Sequence, residues 1–275
     1  MIDHAYVLCG GESSRFKYSV EQELYRRRHH SPCVDYRVDA TAVKEVPTDF
    51  LQRINGLNKL VVPLAGKTIL ERHLELLAAS GIKEFTLLAG QNSALITEIQ
   101  DPLAAYGKIN IKSDAGSDLS SIHTAVQQRG DQELLVTSGD TLVALDCQEY
   151  QAAFRASNRS ASISILEYGF GDFSGTALVR REFLDRTVAA TGSSQVSESR
   201  SPWMQALASI NGSPDCYTHA AVKYCANLNT LSSYARLLRE VVLHGNPTVS
   251  LVAPDLRQFC SERTAEKAIP IHLYA

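Results

Sequence analysis

Ala5-Tyr6-Val7-Leu8-Cys9 runs straight into Gly10-Gly11-Glu12-Ser13-Ser14-Arg15-Phe16, and this join decides the fold. Five uncharged residues read as a buried strand. Two glycines at its carboxyl end let the chain turn tightly and aim backbone N–H groups at an anion. Arg15, four residues on, can fork onto phosphate oxygens. Open α/β sheets bind ligands at this place, beyond the carboxyl ends of their strands. The loop is not a dinucleotide fingerprint, because position 12 is Glu and no third glycine follows. Nor does Gly66-Lys67-Thr68 end a Walker A loop, since that motif needs glycine where the chain has Val61.

Outward from this join, short apolar runs alternate with helical patterns, as in an α/β protein with a mixed, mostly parallel sheet. Strands are expected at Ala5–Cys9, Phe85–Ala89, Ile109–Ile111, Leu134–Thr137, Ala161–Leu166, Gly175–Val179, Ala220–Cys225 and Val249–Ala253. Thr68-x-x-Glu71 and Asp146-x-x-Glu149 read as capping boxes. Leu70, Leu74 and Leu77 follow the first at helical spacing, with Gly81 beyond as the left-handed terminator. Asp118 and Thr230 are the expected caps of two further helices, which end before Gly130 and Gly245. Lys17–Leu57 interrupts the pattern as a charged insertion, with a solvated helix at Val20–His30. Ala189–Pro202 reads as a loop rich in Ser, Thr and Gly. The 275 residues are read as one domain, with the insertion at about 17–57 and a C-terminal extension at about 246–275.

Composition excludes several classes. The chain is 44% apolar and 21% charged with a net charge of −3, so it builds a core and lacks the basic excess of a nucleic-acid binder. No apolar run reaches a bilayer's span, and the first one has no basic flank, so neither a membrane segment nor a signal peptide is expected. Six scattered cysteines without a C-x-x-C pair read as reduced thiols in a cytoplasmic protein. The histidines lack zinc spacing.

Three further stretches accompany the first loop: Asn58-Lys59-Leu-Val-Val-Pro63-Leu-Ala-Gly66-Lys67, Ser138-Gly139-Asp140 at the tip of an apolar strand, and Asn227-Leu-Asn229-Thr230. A lone carboxylate at a strand tip suits Mg²⁺, which takes one or two protein carboxylates plus phosphate oxygens. In this order the four stretches resemble the nucleoside-triphosphate nucleotidyltransferase superfamily, from about Ala5 to Leu243. The Ser-Ser-Arg and Asn-x-Asn-Thr forms are most similar to its molybdenum-cofactor branch.

The resemblance implies a three-layer α/β/α Rossmann-like fold. It also implies transfer of a nucleoside monophosphate from a triphosphate to a small phosphorylated acceptor, with pyrophosphate released. The acceptor would be a sugar phosphate, a phospho-alcohol or a molybdopterin-like compound. The catalytic roles fall on Arg15, Lys59 and Asp140. Nucleotide binding falls on Cys9, Gly10, Gly11, Glu12, Ser13, Ser14, Gly90, Gly116, Ser120, Ser121 and Gly139. Gly175, Thr176 and Lys223 would border the acceptor, and Asp140 with Asn227 would hold Mg²⁺. No general base is needed, because an acceptor phosphate is already an anion. Arg15 and Lys59 are separated by 43 residues, so the insertion must loop out and return for both to meet one triphosphate.

Arg26-Arg27-Arg28-His29-His30 offers either a grip for an anionic acceptor or a solvated helix face. Two other functions share parts of the pattern. A nucleotide-sugar-dependent glycosyltransferase would carry Asp-x-Asp, whereas Asp140 is followed by Thr141 and Leu142. A non-catalytic nucleotide-binding protein would fit the amide at Asn227. Base, acceptor and oligomeric state, a homodimer included, stay open.

Overall fold

The computed structural model describes residues 2–11, 13–29, 43–44, 46–64, 66–113, 116–166, 173–191, 201–211, 213–222 and 224–242. Its strands are β1 (His4–Leu8), β2 (Pro63–Leu64), β3 (Lys67–Thr68), β4 (Glu84–Leu88), β5 (Lys108–Lys112), β6 (Glu133–Ser138), β7 (Thr141–Ala144), β8 (Ala161–Leu166), β9 (Phe173–Arg180), β10 (Cys216–Val222) and β11 (Tyr224–Asn227). The main helices are α1 (Ser14–His29), α2 (Thr48–Ile54), α3 (Ile69–Ala79), α4 (Asp118–Arg129), α5 (Cys147–Ser157), α6 (Arg181–Thr191), α7 (Pro202–Ile210) and α8 (Leu231–Val242).

Seven strands form one sheet in the order β10-β8-β9-β6-β1-β4-β5, and β2–β3 and β7–β11 are separate two-stranded pairs. β1 lies parallel to β4 and to β6, and β4 parallel to β5. β9 runs antiparallel to β6 and β8, while β10 is parallel to β8. Because β1, β4, β5 and β6 point the same way, the segments that follow them all leave one edge of the sheet, where such sheets place ligands.

Side chains alternate across β1 as a strand demands. Ala5 and Val7 pack with Leu70, Leu74 and Leu77 of α3 and with Phe85, Leu87 and Leu135. Tyr6 packs on the other face with Ile122, Ala125 and Val126 of α4 and with Leu134, Val136 and Trp203. Both faces are covered, which is why these strands are apolar throughout. α3 begins with the full Thr68–Glu71 capping box, and Gly81 follows it at φ +95°.

The insertion departs from expectation. Among its described residues, the expected helix is not merely solvated. α1 starts inside the phosphate-loop motif, and its Phe16 and Val20 join Phe50, Leu51 and Ile54 of α2 in a third core with Leu231, Tyr234 and Leu238 of α8. Phe50 stacks on the Tyr234 ring at 6.1 Å, and Phe16 meets the same ring edge-on. Each fully buried Phe contributes about 2–3 kcal/mol. Arg26 and Arg27 both pair with Glu23, and Arg27 also donates to the carbonyls of Val43 and Val46. Two of the three arginines therefore tie the insertion together; His30 lies outside the described residues.

Smaller corrections concern caps and strand bounds. Ser117, not Asp118, caps α4, because its hydroxyl reaches the Ser120 N–H. Asp118 is instead drawn to the start of α7, where Ser201 Oγ and the Trp203 N–H donate to it. α6 extends through Thr191 into the expected loop. The expected strand Ala220–Cys225 is divided between β10 and β11, which join different sheets. Val249–Ala253 and the C-terminal extension lie outside the described residues.

Candidate functional site

The loop after β1 is fastened from both sides. The Cys9 N–H donates to Leu88 O of β4, and the Gly139 N–H donates to Leu8 O. Asn92 Nδ2 donates to the carbonyls of Cys9 (2.6 Å) and Gly11 (3.0 Å). Asn58 Nδ2 donates to Gly11 O (3.2 Å) and to Asn92 Oδ1 (3.1 Å). Two side-chain amides thus take up the loop's carbonyls and hold it as a shelf. Asn92 follows β4 through Gly90, whose φ is +50°. Asn58 caps the turn Lys59–Val61 by accepting the Leu60 N–H. Neither amide was expected to act here. The signal for Asn92 was its place after an apolar strand beside β1.

The loop's glycines do not serve the turn as expected. Among the loop's described residues Ser13 is left-handed (φ +59°), whereas neither Gly10 nor Gly11 has positive φ. A Cβ on Gly11 would meet nothing within 4 Å, and one on Gly10 would make only ordinary contact with the Leu88 and Ala89 carbonyls at 3.8 Å. What these glycines preserve is open space above the shelf. Gly139 differs: a Cβ there would press on Cys9 Sγ and Val7 at 3.2 Å, so it is fixed by packing. Cys9 is buried, and burial pushes its thiol far above the ordinary range. Only its backbone is available to a ligand. Ser14 and Arg15 open α1 and are exposed, and Arg15 has no ion pair among the described residues. Glu12 lies outside them.

Ser13 closes the 43-residue gap. Its Oγ accepts the Lys59 N–H at 3.0 Å, so the insertion does return Lys59 to the loop. The Lys59 ammonium pairs with Asp140 Oδ2 and donates to Asn229 Oδ1 at 2.6 Å. Thr141 Oγ1 donates to Asp140 Oδ1 at 3.1 Å, and Leu228 N–H donates to Asp140 O. In the β7–β11 ladder Asn227 stands opposite Thr141, next to the Asp140 backbone. The loop, Lys59, Asp140, Asn227 and Asn229 are therefore one site. Asn229 belongs to a motif seen in the sequence, but its contact with Lys59 depends on a pairing between strands more than 80 residues apart.

Gly116, Ser120 and Ser121 lie at the entry to α4, after β5 on the same edge of the sheet. A Cβ on Gly116 would meet Ser120 Oγ at 2.3 Å, so the serine hydroxyl would have to turn away to admit it. Ser121 is buried and Ser120 exposed. Gly175 (φ +79°) fits against Ser138 and Thr141, beside Asp140. Thr176 does not offer its side chain to a ligand, contrary to expectation. It is fully buried, and its hydroxyl bonds Thr137 Oγ1 at 3.0 Å. Thr137 in turn contacts His73 Nε2 at 3.3 Å. Burial lowers the His73 imidazole to about 4. Lys223 lies outside the described residues.

The donor set suits a hard cation. It comprises the Asp140 carboxylate and the Asn229 amide oxygen, with Asn227 opposite Thr141 in the ladder, and an ammonium already rests on that carboxylate. Among the described residues no cluster of three or more His, Cys, Asp or Glu could hold a metal alone. A cation here would draw its remaining ligands from phosphate oxygens, as Mg²⁺ does. No helix among the described residues is long and apolar enough to cross a membrane.

A family model described as the MobA-like NTP transferase domain matches residues 52–209, more than half of the chain. No curated protein matches the sequence. Solved structures of similar fold include UDP-glucose pyrophosphorylase complexed with UDP-glucose, with 8% identity and a TM-score of 0.56, covering 86% of this chain and 97% of that one. A Bacillus anthracis protein assigned as a glucose-1-phosphate thymidylyltransferase, in complex with sucrose, has 11% identity and a TM-score of 0.54, covering 86% and 93%. HddC from Yersinia pseudotuberculosis, complexed with GMP-PN, has 14% identity and a TM-score of 0.50, covering 86% and 97%.

Proposed function

Since the chain belongs to the MobA-like NTP transferase family, we propose that it transfers a nucleoside monophosphate from a nucleoside triphosphate to a small phosphorylated acceptor. An acceptor phosphate oxygen attacks the α-phosphorus. A new P–O bond forms, the bond to the β-phosphate oxygen breaks, and pyrophosphate leaves with that electron pair. The observation that carries this reading is the convergence of Lys59 and Asp140 on a carbonyl-anchored loop with open space above it.

Each group has work in such a reaction. The loop from Gly10 to Ser14 receives the triphosphate, with the start of α1 aimed at it. Arg15 and Lys59 neutralise charge on the phosphates as the α-phosphorus is attacked. Asp140, with Asn227 beside it, would hold Mg²⁺, which when bound supplies positive charge to the phosphate oxygens. Gly90, Gly116, Ser120 and Ser121 border the base and ribose, and Gly175 borders the acceptor. The four free cysteines among the described residues support a reducing, cytoplasmic setting.

The acceptor classes are sugar 1-phosphates, phospho-alcohols and molybdopterin-like phosphates. The fold neighbours whose names involve glucose 1-phosphate and UDP-glucose favour trying the sugar phosphates first. The test is pyrophosphate release, measured with each of the four ribonucleoside triphosphates and Mg²⁺ against each class. One pair should turn over and yield a nucleotide-diphospho product. Nucleotide binding without pyrophosphate from any acceptor would reject the enzyme in favour of a nucleotide-binding protein.

A further inference from the structure

Lys59 occupies the position that a cation would need. Its ammonium rests on Asp140 Oδ2 and is shared with Asn229 Oδ1. The other Asp140 oxygen is taken by the Thr141 hydroxyl, which is itself buried. The pair is largely enclosed, with Lys59 12% and Asp140 18% exposed. We propose that Lys59 is a placeholder cation on Asp140, so that the free enzyme refuses divalent metal and accepts it only together with the triphosphate. This rests on the reading of Asp140 as the metal-holding carboxylate.

The reason is charge compensation. A divalent ion arriving alone must displace the ammonium, and an enclosed ammonium without a partner is costly. Asn229 Oδ1 is a neutral acceptor and cannot replace a carboxylate. A triphosphate changes the balance, because it brings enough negative charge to pair the metal and the released ammonium at once. Metal and triphosphate then favour one another by the same factor in either order of addition. Lys59 thereby links metal loading to its own release toward the phosphates, and the geometry needs only a side-chain rotation about a backbone held by Ser13.

The experiment measures Mn²⁺ binding to the full chain by calorimetry, alone and as preformed Mn²⁺·tripolyphosphate. The proteins are wild type, Lys59→Met, Lys59→Gln and Asp140→Asn. Lys59→Gln keeps a hydrogen-bond donor without the charge, and so serves if Lys59→Met does not fold. Either Lys59 variant should bind Mn²⁺ alone at least about tenfold more tightly than wild type, and adding Asp140→Asn should erase that gain. Equal Mn²⁺ affinity in wild type and both Lys59 variants overturns the placeholder. The proposed function survives that result if wild type still binds Mn²⁺·tripolyphosphate through Asp140. If Asp140→Asn binds that complex as wild type does, Asp140 is not the metal ligand, and both readings fail together.

Discussion

The two ends of β1 are both polar, yet they are built differently. At its start, His4 Nδ1 lies 3.3 Å from Asp131 Oδ2, and His4 Nε2 meets Thr86 Oγ1 at 2.8 Å. Tyr6 Oη donates to the same Asp131 oxygen at 2.7 Å. Arg129 bridges Asp131 and Glu84, and Lys108 and Asn110 donate to Glu84. Every charge there finds its opposite. At the carboxyl end the backbone carbonyls are taken, but Arg15 has no ion pair among the described residues and the space above Gly11 is open. Charged residues alone therefore do not mark a site. A site has valence left over for something that is not protein, and a structural cluster has used its own.

Exchanging one carboxylate at each end breaks this contrast most sharply. Asp140→Ala should lower pyrophosphate-forming turnover by about 10³ or more, with the circular dichroism of the folded chain kept and the unfolding midpoint lowered, because Lys59 loses its carboxylate. Asp131→Asn should lower the midpoint and leave turnover, because it weakens the bonds from Tyr6 and Arg129 and touches nothing at the loop. If Asp131→Asn costs activity as heavily as Asp140→Ala, the division between the two ends is wrong.

Acid separates the ends by their titration. His4 and His73 are both held below the usual imidazole range, mainly by burial, and His73 is the deeper of the two, at about 4. Both stay neutral in the folded chain where the unfolded chain already takes up a proton. The His73 contribution is whole above pH 6.5 and is lost as pH falls toward 4, at up to about 1.4 kcal/mol per pH unit, and His4 acts in the same direction. Glu84 acts lower down. Its bonds from Lys108, Asn110 and Arg129 hold it near 2, so its contribution is whole above 4.5 and declines below that. Urea unfolding across this range should show a steep fall below pH 6.5 that His73→Gln flattens. An unchanged slope in that variant would assign the fall elsewhere.

Gly11→Ala sharpens the meaning of open space. A methyl there meets no protein atom within 4 Å, and the backbone needs no positive φ. Stability should change by less than about 0.5 kcal/mol. The KM for the nucleotide should nevertheless rise by about tenfold, since the methyl enters the volume assigned to the phosphates. A loss of stability without a change in KM would return Gly11 to the role of a turn residue.

How much of this was legible beforehand follows the range of the interactions. β1, β4, β5 and β6 announced themselves as apolar runs, and the α3 capping box could be read because its partners lie three residues apart. Arg15, Lys59 and Asp140 were legible as residue types in order along the chain. That Lys59 touches Asp140 was not, nor that Asn58 and Asn92 hold the loop, because asparagine serves as readily in turns and caps. β7 was missed for a related reason. Four residues beginning at Asp140's neighbour acquire strand character only from β11, far along the chain. The core role of Phe16, Val20 and Phe50 was hidden by the charges around them, since α1 buries a narrow stripe and solvates the rest.

The smallest effect probes the closed end alone. Tyr6→Phe removes one hydroxyl from β1 and leaves the ring in its place against α4. The bond to Asp131 is then lost, but Asp131 keeps the Arg129 guanidinium as its partner, so no carboxylate is stranded. The cost should be about 1 kcal/mol, the ordinary net worth of such a bond, read as a lower urea midpoint with an unchanged slope. Nucleotide KM and turnover should stay within experimental error, because β1 transmits nothing to the loop beyond its register with β4 and β6. If turnover instead fell several-fold while stability held, the two ends of the strand would be coupled, and the start of β1 would have to be counted as part of the site.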